Sequence, residues 1–143
     1  MSIKIIESIA DIPETQWIAL AGSNPFLSYA FLRALQESGC TTPRTGWEAQ
    51  FLTVWQDSLL VGAMPIYRKH HSFGEFVFDW AWAEAYQQHG LNYYPKLLCA
   101  IPFTPITGAR LLATTREVRT QLIHSALQMA QESGVSSLHC LFP

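Results

Sequence analysis

Residues 51–67 have the sequence FLTVWQDSLLVGAMPIY and predict a β-hairpin. Residues 51–56 alternate and are rich in β-forming side chains, Asp57-Ser58 supplies a turn, and residues 59–67 form the returning strand. Pro65 has no N–H to donate to a neighbouring strand, so the returning strand should be bulged or lie at a sheet edge there. We therefore expect this hairpin at the centre of the fold.

On the N-terminal side of the hairpin, the sequence predicts a strand and a helix. Residues 3–6 form a short apolar run typical of a strand. Asp11-x-x-Glu14 has the spacing of a capping box and predicts a helix that ends at Ala21, before a glycine. Residues 41–47 contain a proline and a glycine and should form a loop.

Two further helices carry start and stop signals. Ser28 can cap a helix that ends at Ser38. Thr114-x-x-Glu117 is a second capping box and predicts the longest helix, which ends at Ser133 and has a wide apolar stripe. The long helix should pack its stripe against one face of the sheet.

The remaining elements complete a mixed pattern. The sequence predicts strands at 75–80, 97–101 and 136–142, and a helix at 81–89. Strands and helices in this order predict an α/β (α+β) fold, with one mixed, mostly antiparallel sheet flanked by helices.

Composition limits the classes of partner. The chain has 143 residues, enough for one domain with a real core. Only 14% of its residues are charged, against about 25% in an average soluble protein, so part of the surface should be covered by another domain or subunit. A net charge of −2 argues against DNA as a partner. The basic run at 68–71 is interpreted as the solvated end of a strand, and no segment has the ~18 apolar residues of a membrane span.

The three cysteines, Cys40, Cys99 and Cys140, stand far apart without a C-x-x-C pair, which argues against a structural zinc site. We see no export signal, so we interpret the cysteines as reduced and the protein as cytoplasmic. His139 and Cys140 cannot form a catalytic pair, because neighbours on a strand point to opposite faces. The last strand has nothing after Pro143 to cover it, so we expect a longer native chain.

Residues 73–110 hold nine of the 18 Phe, Trp and Tyr side chains. Three polar residues within this stretch, Asp79, Glu84 and His89, are candidate catalytic acids or bases for deprotonating an acceptor amine. That task requires a pKa moved toward neutrality by burial. The alternatives are that Asp79 caps the following helix or forms a structural pair, and that Glu84 lies on the helix surface.

The same stretch supplies the candidate substrate contacts, which are Trp80, Trp82, Tyr93, Tyr94, Lys96, Thr104 and Arg110. Tyr93, Tyr94 and Lys96 would suit an acidic or sugar-bearing ligand, and Arg110 a carboxylate or phosphate. We predict that Asp79, Tyr93, Lys96 and Arg110 converge on one concave surface that takes a polar or charged acceptor. Replacing Lys96 or Arg110 should then weaken binding at little cost in stability. The alternatives are that Lys96 stays in water and that Arg110 forms a buried ion pair.

Several rare sequence words occur in order: NPFLSYAFLRALQESG at 24–39, RTGW at 44–47, LVGAMPIYRKHHSFGEFVFDWAWAEAY at 60–86 and HGLNYYPKLLCAIPFTPITGARLL at 89–112. In these words the chain resembles the N-terminal part of a bacterial family of predicted N-acyltransferases. That family is related to the FemAB peptidyltransferases and is associated with peptidoglycan biosynthesis. The order of elements around the hairpin is similar to that of the GNAT-type acyl-CoA N-acyltransferase fold.

The resemblance implies a protein of two tandem GNAT-like domains, of which residues 1–143 would be the first. The full-length protein would be an N-acyltransferase or aminoacyl-transferase that uses acyl-CoA or aminoacyl-tRNA. This domain would form the acceptor-side wall of a cleft shared with the second domain, and a small molecule or a cell-wall precursor would be the acceptor. The chain could also form a homo-oligomer. The alternative is a non-catalytic GNAT-like module for recognition or dimerisation.

A GNAT domain binds the pyrophosphate of acyl-CoA with a glycine-rich loop at a helix N-terminus. The corresponding residues 105–115, PITGARLLATT, contain the single glycine Gly108, with Arg110 after it rather than before it. The signature is absent, so we expect no cofactor bound by this domain.

Overall fold

The computed structural model of the protein describes residues 1–75 and 78–143, which form a mixed α+β fold. In this part of the chain four α-helices accompany eight strands: β1 Ser2–Ile6, α1 Glu14–Ala21, α2 Tyr29–Glu37, β2 Trp47–Ala49, β3 Phe51–Gln56, β4 Leu59–Met64, β5 Ile66–Lys69, α3 Trp80–Gln88, β6 Lys96–Cys99, β7 Leu112–Ala113, α4 Arg116–Glu132 and β8 Leu138–Cys140. None of the described helices has the length and apolar character needed to cross a membrane.

The strands form two sheets rather than the single sheet expected from the sequence. The first has the order β1-β3-β4-β7 and is antiparallel throughout, and the second has the order β2-β5-β6-β8, with β8 parallel to β6. The predicted hairpin takes part in both sheets. Its strands β3 and β4 pair with each other in the first sheet, whereas β5 pairs with β2 in the second. The Gln50 N–H donates to the Ile66 carbonyl at 2.8 Å where one sheet passes to the other.

Pro65 explains this division of the returning strand. It separates β4 from β5, and a residue without an N–H cannot continue a ladder of hydrogen bonds. The expected bulge occurs on the returning strand but before Pro65, at Val61, since the consecutive residues Val54 and Trp55 pair with Gly62 and Leu60. The hairpin prediction is therefore confirmed, but its position within one sheet is wrong.

Apolar side chains fill both faces of the sheets. Five successive residues of β3, 51–55, are buried, which is typical of a strand covered on both sides. One cluster joins Phe51 and Tyr67 to Trp17 of α1 and Leu32 of α2. The opposite cluster packs β3–β6 against α4 and contains the side chains of Leu52, Ile66, Leu97, Val118 and Leu122. Helices thus cover the two faces of the sheets.

Most of the helices and strands predicted from the sequence are present, but some of the predicted N-cap residues are wrong. Ser28 caps α2, as predicted, by accepting a hydrogen bond from the Phe31 N–H at 3.2 Å. The two predicted capping boxes are wrong: α1 follows Pro13 without a side-chain cap, and the cap of α4 is Thr115 rather than Thr114. The short strand β2 begins at Trp47, the last residue of the predicted loop, and continues to Ala49, for which no element was predicted. Its pairing with β5 depends on residues far away in the sequence, which local patterns do not reveal.

The strand predicted at 75–80 includes residues 76 and 77, which lie outside the described residues. At its C-terminal end the prediction is wrong, because Trp80 is the first residue of α3. The helix predicted at 81–89 is confirmed as α3, the strand at 97–101 as β6, and the strand at 136–142 as the shorter β8.

Candidate functional site

Two lysines face each other at one end of the second sheet. Lys69 of β5 is the cross-strand partner of Lys96 of β6, and both side chains are 0% exposed. Like charges directly opposite one another repel, and buried charges need partners. Lys69 donates to the Phe73 carbonyl at 2.7 Å, and its ammonium lies 3.8 Å from the centre of the Trp47 ring. The expectation that Lys69 belongs to a solvated strand end is wrong, because these contacts bury it.

Two acids on the segment between β5 and α3 neutralise the lysines. Glu75 Oε1 accepts from Lys96 Nζ at 2.8 Å, and its Oε2 lies 3.9 Å from Lys69 Nζ. Asp79 Oδ2 accepts from Lys96 Nζ and, at 2.8 Å, from the Tyr93 hydroxyl. We call Lys69, Glu75, Asp79 and Lys96 the charge cluster. Its equal numbers of positive and negative groups allow four charges to be buried together.

Burial and pairing shift the pKa values in the charge cluster. Burial acts to raise the pKa of Asp79, but hydrogen bonds from Lys96 and Tyr93 outweigh it, and the pKa lies below its ordinary value. Burial raises the pKa of Glu75 against the effect of Lys96. Burial also lowers the pKa of Lys69 to about 8, against the attraction of Glu75. Asp79 is therefore the firmly ionised acid of the cluster at neutral pH.

The lowered pKa of Lys69 predicts an unusual dependence of stability on pH. Between its folded pKa of about 8 and its ordinary value of 10.5, the unfolded chain binds the extra proton, so this group adds stability as the pH rises. Urea unfolding at about pH 7.5 and about pH 9.5 measures this effect. The free energy of unfolding of the wild type should rise relative to that of Lys69→Met at the higher pH. Lys4→Met, at an exposed position, is the matched control. Its free energy of unfolding should differ from that of the wild type by the same amount at both pH values. If the difference in free energy of unfolding between wild type and Lys69→Met stays constant or decreases at the higher pH, the lowered pKa of Lys69 is contradicted.

A cavity of about 360 Å³ opens beside the charge cluster. It is lined by Asp79, Trp82, Tyr86, Tyr93, Ser137 and His139. Trp82 and Tyr86 come from one side of α3, and Ser137 and His139 come from the β8 segment. A larger hollow of about 800 Å³ lies between α4 and β8, but the described residues lining it include no lysine, arginine or acid. Of these two hollows, as lined by the described residues, the smaller one combines a charge with several polar and aromatic groups, so we take it as the candidate site.

The polar contacts of the Asp79 carboxylate with the other described residues are made by one of its two oxygens. Its contacts with Lys96, Tyr93 and His139 all involve Oδ2. Within residues 1–75 and 78–143, Oδ1 makes no hydrogen bond, and the side chain does not cap α3. The interpretation of Asp79 as a helix cap is therefore wrong, whereas its structural pairing is present. The paired oxygen fixes the carboxylate in place and leaves the other oxygen able to accept a hydrogen bond.

His139 is the second titratable group at the cavity. Its Nδ1 lies 3.8 Å from Asp79 Oδ2, and its ring meets the Tyr93 ring edge-on with centroids 6.3 Å apart. Burial and, secondarily, the charge of Lys96 lower the pKa of His139 below its ordinary value. The imidazole is thus neutral at pH 7, and a neutral imidazole can accept a proton.

The structure separates the sequence-predicted catalytic residues. Asp79 lies at the cavity, but Glu84 and His89 are exposed on α3 and do not line it. His89 instead has Nδ1 2.8 Å from the Ala85 carbonyl at the end of the helix. The structure thus offers no common site for the three residues.

The predicted substrate contacts are also divided. Trp82 and Tyr93 line the cavity, and Tyr94 packs edge-on against Tyr93 with centroids 5.0 Å apart. Trp80 lies outside the cavity and stacks on Phe78, although it is as exposed as Trp82, at 64% against 66%. The Thr104 hydroxyl donates to the carbonyl of the nearby Pro102. Lys96 does not line the cavity. Its side chain is 0% exposed and is paired with Asp79 in the charge cluster, so the expectation that it stays in water is wrong.

Arg110 lies at the opposite end of β6 from Lys96. Its carbonyl accepts from the Cys99 thiol at 3.7 Å; Cys99 is three residues from Lys96, about 10 Å along a strand. Its guanidinium donates to four backbone carbonyls, those of Ile106, Gly108, Ala109 and Leu141. Of the four side chains predicted to converge on one concave surface, Asp79 and Tyr93 therefore line the cavity, whereas Lys96 and Arg110 do not. The alternative of an ion pair is also wrong, because carbonyls rather than a carboxylate bind Arg110.

Residues 8–143 match the FemAB-like family, which is described as concerned with peptidoglycan biosynthesis or recognition. Neither a curated protein nor a solved structure matches the chain. The GNAT-like topology thus stays a prediction, while the family match covers nearly the whole chain, including the charge cluster and the cavity. The chain belongs to the FemAB-like family of proteins for peptidoglycan biosynthesis or recognition.

Proposed function

We propose that this chain forms the acceptor side of an N-acyltransferase or aminoacyl-transferase of FemAB type, and that the cavity at Asp79 holds the acceptor amine of a peptidoglycan precursor. The observation that carries the proposal is the ionised carboxylate of Asp79 at a cavity with aromatic walls. A protonated amine matches this environment, since the carboxylate attracts its charge and the ring faces of Trp82, Tyr86 and Tyr93 attract cations.

His139 has the role of proton acceptor in this proposal. An ammonium group must lose a proton before its nitrogen can attack an acyl donor. The neutral imidazole of His139 lines the same cavity, and a positioned histidine accelerates such transfers by about 10²–10⁴-fold. Asp79 is the weaker candidate for this role, because its lowered pKa makes it a poor base. The donor, acyl-CoA or aminoacyl-tRNA, would bind to a second domain of the full-length protein.

The second candidate function is recognition without transfer. The glycine-rich loop for acyl-CoA is absent at 105–115, and Asp79 is already bonded to Lys96 and Tyr93. Both observations fit a module that holds an amine without reacting with it. Incubation of the full-length protein with a muropeptide and candidate donors separates the two functions. An acylated amine supports the transferase, and a bound but unchanged amine supports recognition.

The binding step can be tested on this chain with two matched tryptophan variants. A muropeptide with a free lysine-type side-chain amine should shift the NMR signals of residues at the cavity, and its Nε-acetylated form should not. Trp82→Ala should weaken binding by roughly tenfold or more, since an aromatic contact with a desolvated cation contributes about 2 kcal/mol. Trp80→Ala removes an equally exposed indole outside the cavity and should bind normally. Equal losses in the two variants, or equal binding of the acetylated ligand, would refute the proposed site.

A further inference from the structure

Two cysteines lie side by side at the other end of the second sheet. Cys99 of β6 and Cys140 of β8 are cross-strand partners, and the Leu141 N–H donates to the Cys99 carbonyl at 3.0 Å, which fixes this register. Partner Cα atoms on neighbouring strands are about 4.8 Å apart. Disulfide-linked Cα atoms are usually about 4.4–6.8 Å apart. The backbone geometry of this pair is therefore within the range of a disulfide.

Both thiols are on the face of the sheet that packs against α4. Cys99 belongs to the apolar core between the sheet and α4, and Cys140 lines an apolar cavity of about 180 Å³ together with Leu138 and Ile123 of α4. Partner residues of parallel strands project to the same side, so the two sulfurs are neighbours. All three cysteines of the chain are free, and Cys140 is exposed whereas Cys99 is buried.

The environments of the two sulfurs differ in a way that assigns them different roles. The thiol of Cys99 and, secondarily, the nearby Arg110 lower the pKa of Cys140 to about 7 against the effect of burial. The neighbouring Cys140 and burial both raise the pKa of Cys99. A thiolate is the form that reacts with oxidants, and reaction requires access from solvent. Cys140 has both properties, and Cys99 has neither.

We propose that Cys140 and Cys99 form a redox-active pair, in which exposed Cys140 reacts with a hydroperoxide and buried Cys99 resolves the product into an intramolecular disulfide. This proposal is independent of the amine site. A bond between β6 and β8 would tie down the segment that also carries Ser137 and His139. Oxidation would thus act on the strand that forms one wall of the Asp79 cavity.

The reaction has two balanced steps. The Cys140 thiolate attacks one oxygen of hydrogen peroxide, an S–O bond forms as the O–O bond breaks, and the hydroxide that leaves becomes water. Cys99 sulfur then attacks the sulfenic sulfur of Cys140, an S–S bond forms as the S–O bond breaks, and the departing hydroxide takes the Cys99 proton as a second water. Two thiols lose two electrons and two protons in total, and one peroxide is reduced.

Mass spectrometry of the peroxide-treated chain tests the proposal without any variant. The intact mass should fall by about 2 Da as one disulfide forms, and the number of free thiols should fall from three to one. A tryptic digest without reductant should contain peptide 97–110 linked to peptide 120–143. Peptide 34–44, which carries Cys40, should stay unlinked.

Two variants define the roles of the sulfurs. Cys40→Ser should behave as wild type, because it leaves the pair intact. Cys99→Ala should abolish the disulfide and leave Cys140 as a sulfenic acid, detected as a dimedone adduct on Cys140, because Met129 in the same peptide 120–143 can also gain one oxygen of about 16 Da. The proposal is overturned if the linked peptides include Cys40, if wild-type Cys140 is oxidised to sulfinic acid without forming the link, or if Cys140 does not react.

Discussion

Lys96→Ala should lower the free energy of unfolding by about 3–5 kcal/mol, because removing one partner of a buried ion pair leaves the others uncompensated. Among residues 1–75 and 78–143, Lys96 is the single cation that contacts both acids at hydrogen-bond distance, Glu75 through Oε1 and Asp79 through Oδ2. Without it, Glu75 keeps only Lys69, 3.9 Å from its other oxygen. Urea unfolding followed by circular dichroism measures the loss.

Two controls test why Lys96→Ala is destabilising. One separates the loss of the Lys96 charge from the loss of its side-chain volume, and the other measures the effect of removing an exposed ion pair. Lys96→Met preserves most of the side-chain volume and should still be strongly destabilised, since the two acids stay unpaired. Arg33→Ala breaks the exposed i,i+4 pair with Glu37 and should leave the midpoint of unfolding almost unchanged. A stable Lys96→Met variant would show that packing, rather than charge, gives Lys96 its importance.

Arg110→Ala should be the second strongly destabilising change, with a loss of about 3–5 kcal/mol, because each buried carbonyl left without a donor costs about 1–3 kcal/mol. Arg110 is 2% exposed and donates to four backbone carbonyls, among them that of Leu141, just after β8. The variant should nevertheless bind the muropeptide normally once it is folded, because Arg110 is distant from the cavity. Thermal unfolding and the NMR titration measure the two quantities on one sample.

The conservative variant Arg110→Lys provides the control for charge. Lysine keeps the positive charge, but its single nitrogen cannot reach the carbonyls that the planar guanidinium reaches with three. Arg110→Lys should therefore lose most of the stability that Arg110→Ala loses. A fully stable Arg110→Lys would show that charge alone holds this region. A folded Arg110→Ala that no longer binds the muropeptide would restore Arg110 as a ligand contact.

The fold could be predicted from the sequence where the signals are local. The turn at Asp57-Ser58 and the cap at Ser28 depend on neighbouring residues, and both are present as predicted. The division into two sheets depends on how β2 and β6 pair with β5, which involves distant residues. Pro65 was recognised as an interruption of the strand. A proline alone, however, does not indicate whether the chain then bends, bulges or enters another sheet.

The candidate site was predicted in part for the same reason. The polar residues within the aromatic stretch pointed to Asp79, Trp82 and Tyr93. His139 comes from a strand that reaches the cavity only through parallel pairing with β6, so no local pattern indicates it. One signal could have identified Lys69: it alternates with Tyr67 along the same strand, which places both side chains on the buried face.

The charge cluster and the cavity form one functional unit in this account. Lys96 and Tyr93 hold one oxygen of Asp79 and keep the carboxylate ionised, and the Asp79 side chain lines the cavity. Lys96 was expected to contact the ligand directly. Its contacts indicate that it acts through Asp79, as a positioning residue whose own loss is first a loss of stability.

A crystal structure of this chain with a lysine-containing muropeptide tests the amine site most directly. The account predicts that the side-chain ammonium nitrogen lies within about 3.2 Å of Asp79 Oδ1, with the ring faces of Trp82 and Tyr86 beside it. It also predicts that Lys96 keeps its contact with Oδ2. A muropeptide bound with its amine in solvent, or with its sugar or carboxylate in the cavity, would contradict the account.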